Sequence, residues 1–186
     1  MQAAGWSVSY VARMSGWGIP FVFDRLNEIR DDLDLYGFGL DPRPGASYVD
    51  PTYAADPRTG MVEVTAGLED CQLDVRVVLI EYWRAGSEGA HAQRGVSALA
   101  YTYWVGCVNP AIDLHYDLDP MRHPETPLHW HPPARTVIRR PCDTATPRRA
   151  MQAALQLAAD IERLQAQGLN TAADMVDNLD LTDYVP

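Results

Sequence analysis

Apolar residues along the chain repeat with two different periods. Between Pro20 and Leu35, Val22, Leu26, Ile29 and Leu33 recur at steps of three and four, and Asp24, Glu28, Asp31, Asp32 and Asp34 fill the other positions. A period near 3.6 predicts an amphipathic helix whose acids face water. Pro20 suits its first position, and Gly37 and Gly39 follow its end. The same period returns from Thr146 to Gly168, where Met151, Ala154, Leu155, Ala158, Ile161 and Leu164 trace one face. Thr146 is a good N-cap, Pro147 fits the first turn, and Gly168 closes the helix. A shorter helix is expected from Asn170 to Leu179, capped by Asn170.

The middle of the chain has a period of two. Met61 to Thr65 alternates, and Leu73 to Trp83, Val96 to Val105 and Ala111 to Leu118 are rich in β-branched and aromatic residues. The gaps between the three longer runs carry Gly86, Ser87 and Gly89, then Gly106, Asn109 and Pro110. Strands joined by short links pair antiparallel. Ser7 to Arg13 and the run from Thr136 read as additional short strands, and residues 40–60 as a long irregular connection. The expected fold class is α+β. An antiparallel β-meander of three to five strands packs against one N-terminal helix and one or two C-terminal helices. Residues 1–70 are an extension on a core of residues 71–186, the whole forming one domain.

Composition narrows the picture further. The 186 residues are 47% apolar, enough for a packed core. No apolar run approaches the roughly 20 residues that span a bilayer. The first residues lack the basic and apolar regions of a secretory signal, so a cytoplasmic location is expected. Three separated cysteines, Cys71, Cys107 and Cys142, form no disulfide framework and read as small buried side chains, with one of them joining a metal site as the alternative. All fifteen basic residues are arginine, and the net charge is −10. Such a field repels nucleic acid. One local patch does not: Arg135, Arg139, Arg140, Arg148 and Arg149 stand against the single acid Asp143 in residues 135–149. These arginines are the candidate contacts for nucleic acid, although an aspartate from the acidic N-terminal region would satisfy them equally well. Acidic charge, proline-rich loops and Trp6, Tyr10 and Trp17 point to a protein partner.

The candidate chemistry is concentrated between Asp113 and His131, which hold four of the five histidines and four carboxylates. On a strand, Asp113, His115 and Asp117 share one face, spaced about 7 Å apart. A histidine between two carboxylates suits general acid or base work, with His115 or His129 as the proton carrier and Asp117 orienting it. A solvated outer face of an antiparallel sheet gives the same alternation. His129 and His131, at i and i+2 on an extended segment, can hold one divalent metal ion, with Asp117, Glu125 or His123 as a further ligand. The alternative is that His123 and Glu125 shape a proline turn while His129 and His131 flank Trp130 at a sheet edge. Arg122 is the candidate for stabilising an anion such as phosphate. There is no HExxH, GxSxG, P-loop or GxGxxG pattern.

Val75 to Trp83, Tyr101 to Trp104, His115-Tyr116-Asp117, His123-Pro124-Glu125 and Leu128-His129-Trp130-His131 together resemble the core of TumE-type toxin components of toxin–antitoxin pairs. The resemblance covers about 60 residues. It implies a toxin- or defence-type protein with RNA or another nucleotide-bearing target, and hence a nuclease as the candidate activity. It supplies no mechanism. The competing expectation is a non-enzymatic acidic interaction module, such as an immunity protein or a subunit of a larger complex.

Overall fold

The computed structural model describes residues 21–40, 53–85, 92–93, 96–133 and 138–186. Helix α1 (Phe21–Tyr36) is followed by strands β1 (Phe38–Gly39), β2 (Tyr53–Asp56), β3 (Met61–Leu68), β4 (Val75–Ala85), β5 (Ala92–Gln93), β6 (Val96–Cys107), β7 (Ile112–Leu118), β8 (Leu128–His131) and β9 (Arg140–Pro141). Helices α2 (Pro147–Ala166) and α3 (Ala172–Asp177) and a final 3-10 turn (Leu181–Tyr184) complete the order. The fold is α+β. The strands form one antiparallel sheet in the order β1-β3-β4-β6-β7-β8-β9, with β2 beside β3 and β5 beside β6.

The sheet has nine strands, more than the three to five expected. The additional strands are two to four residues long, too short to show a period of two. β2 lies inside the stretch read as irregular. The turn after Asp56 closes through Thr59 and Gly60 N–H groups on the Asp56 carbonyl, with Gly60 at φ 71°. The predicted strand at 7–13 lies outside the described residues, as do Thr136 and Val137; the edge strand is instead Arg140–Pro141. Helix α3 is capped by Thr171, one residue later than expected. Thr146 caps α2 by accepting a hydrogen bond from the Arg149 amide.

Alternation gives the sheet two unlike faces. Val64, Val77, Tyr103, Leu114, Tyr116 and Trp130 point to the side packed by α1 and α2, and all are buried. Also on that side is Glu81, only 1% exposed, a burial that the sequence pattern did not announce. Its carboxylate accepts from Arg25 Nε and Nη2 (both 2.8 Å), Trp83 Nε1 (2.8 Å) and Tyr103 Oη (2.6 Å). A buried charge with four donors has its hydrogen-bonding needs met, and Arg25 ties α1 to the sheet. The C-terminus is tied down similarly: Tyr184 donates to Asp160 (2.7 Å) and its carbonyl accepts from Tyr116 (2.7 Å). No helix among the described residues is long and apolar enough to cross a membrane.

Candidate metal centre

The opposite face carries the polar residues of β7 and β8. Register sets Asp117 across from His129 and His115 across from His131. Their neighbours Leu114, Tyr116 and Trp130 are committed to the core, so alternation sends Asp113, His115, Asp117, His129 and His131 outward together. The face is nonetheless not fully solvated: His129 is 1% exposed and His131 8%.

Asp117 Oδ2 lies 3.4 Å from His131 Nε2 and 3.8 Å from His129 Nε2. One donor atom from each of Asp117, His129 and His131 lies within 4.8 Å of the other two. Two ligands bound at 2.0–2.1 Å to a tetrahedral ion stand about 3.4 Å apart, a spacing that the Asp117–His131 pair matches and the Asp117–His129 pair exceeds by a few tenths of an ångström. The rings of His129 and His131 have centroids 5.2 Å apart. Imidazoles sharing one tetrahedral ion have centroids roughly 5 Å apart by the same geometry.

The tautomer of His129 is fixed by its surroundings. Nδ1 is 2.9 Å from the Thr126 carbonyl, which can only accept, so Nδ1 carries the proton. Burial lowers the pKa of His129, opposed by Asp117 and the Thr126 carbonyl and assisted by His131 and His123; the net shift is downward, which favours the neutral ring. Its Nε2 therefore presents a lone pair. Burial alone would raise the pKa of Asp117, but hydrogen bonds from His131 and Thr102, and the fields of His115 and His131, bring it below the ordinary value. His129 Nε2 and the Asp117 carboxylate thus face each other at 3.8 Å. His131 Nδ1 is buried and finds no hydrogen-bond partner among the described residues, a condition that costs about 1–3 kcal/mol unless another group meets it.

The remaining candidates separate clearly. His115 lies at one end, its ring 5.8 Å from that of His131 and its Nε2 3.3 Å from Asp113 Oδ2. Asp113 also accepts from Trp104 Nε1 at 3.0 Å. The His115 hydrogen bond is the largest cause of Asp113's lowered pKa; burial opposes it and Trp104 adds to it. His123 lies at the other end, its ring 5.0 Å from that of His129. Glu125 is exposed and falls outside the donor group. Arg122 reaches Asp119, with Nε 3.9 Å from Oδ2. The cysteines also stay outside the donor group, and burial is the largest cause of the Cys107 and Cys142 thiols being raised to about 11.

The basic patch is dispersed. Arg148 pairs with Asp32 at 2.8 Å, so an N-terminal aspartate does take up one of these charges. Arg149 donates to the carbonyls of Asp183 and Val185. Arg140 lies 5.9 Å over the Trp130 ring, Arg139 is exposed, and Arg135 lies outside the described residues.

Three contributors were not visible in the sequence. Thr126 acts through its backbone, so its side chain gave no sign. Thr102 reaches Asp117 from β6, which only the register reveals. Gly106 lies opposite Asp113, and a Cβ there would fall on the indole of Trp104. Glycine lets that indole lie flat across the strand and reach Asp113; an isolated glycine in a strand was the available signal. Comparison with family models, curated proteins and solved structures gives no match.

Proposed function

We propose that this chain binds one divalent transition-metal ion through Asp117, His129 and His131 and uses it in metal-assisted hydrolysis. The observation that carries the reading is the approach of the His129 Nε2 lone pair to ionised Asp117 while Nδ1–H is committed to Thr126. A cation between them makes that arrangement favourable, and a metal-bound histidine characteristically gives its other N–H to a carbonyl in this way. Two nitrogens and one carboxylate oxygen suit Zn²⁺, Mn²⁺, Fe²⁺ or Ni²⁺ better than Mg²⁺ or Ca²⁺.

Three protein ligands leave a tetrahedral ion one further position, where a bound water becomes a nucleophile near neutral pH. We assign His115, hydrogen-bonded to Asp113 beside His131, the role of taking that proton. The resemblance to TumE-type toxins makes a phosphodiester, and RNA first, the substrate class to assay. Chelator-stripped protein should be inactive on RNA and regain activity with Zn²⁺ or Mn²⁺, whereas folded His129→Ala protein should not. Equal cleavage by stripped and loaded protein would refute the reading.

A non-enzymatic role remains the second reading, favoured by the near-complete burial of His129 and His131. A stable protein complex in which the loaded ion exchanges with no added ligand would support it over hydrolysis.

A further inference from the structure

The metal reading leaves open which group takes the fourth position when no substrate is present. Two histidines flank the three ligands, and their hydrogen bonding differs. His115 is held by Asp113 at 3.3 Å. His123 makes no side-chain hydrogen bond to the protein among the described residues. Its ring centroid is 5.0 Å from that of His129, close to the 5.2 Å between His129 and His131, and the two planes are nearly perpendicular at 88°. That separation is what two imidazoles on one tetrahedral ion require.

The backbone carrying His123 is well placed for this. Between β7 and β8 the chain makes a tight turn. The Asp119 amide donates to the Pro127 carbonyl, the His123 amide to the Asp119 carbonyl, and the Thr126 amide to the His123 carbonyl. Asp119 Oδ1 also accepts from the Arg122 amide. This turn supplies the Thr126 carbonyl that orients His129. One short hydrogen-bonded unit therefore carries both His123 and the acceptor that fixes a ligand. In the present rotamer the His123 nitrogens fall outside the donor group. Rotation of the ring about χ2 exchanges its nitrogen and carbon edges without moving the turn, and is of low cost for a group with no hydrogen bond to break.

We propose that His123 is an exchangeable fourth ligand, which closes the ion at Asp117, His129 and His131 at rest and is displaced by an incoming oxygen donor, the water or hydroxide that serves as nucleophile. The inference rests on the metal reading above. Displacement is a ligand exchange in which one nitrogen lone pair leaves the ion and one oxygen lone pair enters, with no change in oxidation state. The His123 ring then acts as the exchangeable group while the turn stays fixed, so the site binds its ion firmly and still opens to the nucleophile.

The test uses full-length protein loaded with Co²⁺, whose visible bands report coordination number, titrated with azide as the probe anion. Wild type should show the strong bands of four-coordinate Co²⁺ and bind azide weakly. His123→Ala should hold Co²⁺ about 10–100-fold less tightly, the range for losing a supporting contact at such a site, and bind azide at least about tenfold more tightly. Glu125→Gln, in the same turn but outside the donor group, should behave as wild type. Identical spectra and azide affinities in wild type and His123→Ala would overturn the proposal while leaving the three-ligand site standing. Failure of wild type itself to bind Co²⁺ would instead remove the metal reading on which it rests.

Discussion

Replacing Arg25 with methionine isolates the energetic role of the one buried carboxylate under α1. Methionine keeps most of the apolar stem and removes the guanidinium, whose carbon lies 5.7 Å from the centre of the Trp83 ring. Glu81, 1% exposed, would then lose two 2.8 Å charge-assisted bonds and retain only Trp83 Nε1 and Tyr103 Oη as donors. The wild-type pair is strongly coupled: burial pulls the Arg25 pKa down, but the hydrogen bonds and charge of Glu81 hold it well above its ordinary value. Breaking a buried pair from one side costs about 3–5 kcal/mol, because the remaining charge stays in low dielectric. For a chain of this size each kcal/mol moves Tm by about 2–4 °C, so the loss is roughly 6–20 °C. Glu81→Gln in the same background restores neutrality: its amide oxygen accepts from Trp83 Nε1 and its NH2 donates to Tyr103 Oη, so the double variant should recover at least about 1.5 kcal/mol relative to additivity. Urea denaturation followed by circular dichroism, with m unchanged, measures both quantities. An Arg25→Met loss below about 1 kcal/mol, or a double variant worse than the sum of the singles, would refute the reasoning.

Gly106→Ala places a methyl group on the Trp104 indole and should cost about 1–3 kcal/mol in urea melts, since the ring must move and release Asp113. Asp160 has a lowered pKa: burial opposes the shift, but bonds from Arg163, Tyr184 and Gln156 outweigh it. Its contribution is therefore present above the ordinary carboxyl value of about 3.9 and is lost as pH falls through the lower folded value. Asp160→Asn should be less stable than wild type near neutrality, with the gap narrowing from about pH 5 toward about pH 2. Arg148→Ala removes an ion pair whose arginine is largely exposed and should change stability by less than about 1 kcal/mol; a larger loss would mean that its contact with Asp32 holds α1 against α2.

Elements with a sustained period were legible in the sequence. Val22, Leu26, Ile29 and Leu33 are the buried residues of α1, and Thr146 and Pro147 begin α2 as expected. The alternation over Ile112–Leu118 holds residue by residue. Strands of two to four residues were invisible because pairing, not periodicity, creates them. The same limit applies to the site. Spacing gave the i, i+2 pair His129 and His131, and composition left Asp117, Glu125 and His123 as alternatives for a further ligand. Only register could place Asp117 directly across from His129 and leave Glu125 outside. Arg122 illustrates the reverse case: beside His123 in the chain, it is drawn by its own turn to Asp119.

The central claim is that Asp117, His129 and His131 hold one ion. Equilibrium dialysis of tag-free, chelator-stripped protein against Zn²⁺, followed by elemental analysis, tests it directly. Wild type should retain one Zn²⁺ per chain, and His129→Ala/His131→Ala protein with an unchanged circular dichroism spectrum should retain none. Wild type retaining no Zn²⁺, Mn²⁺, Fe²⁺ or Ni²⁺, or a double variant retaining a full equivalent, would contradict the account.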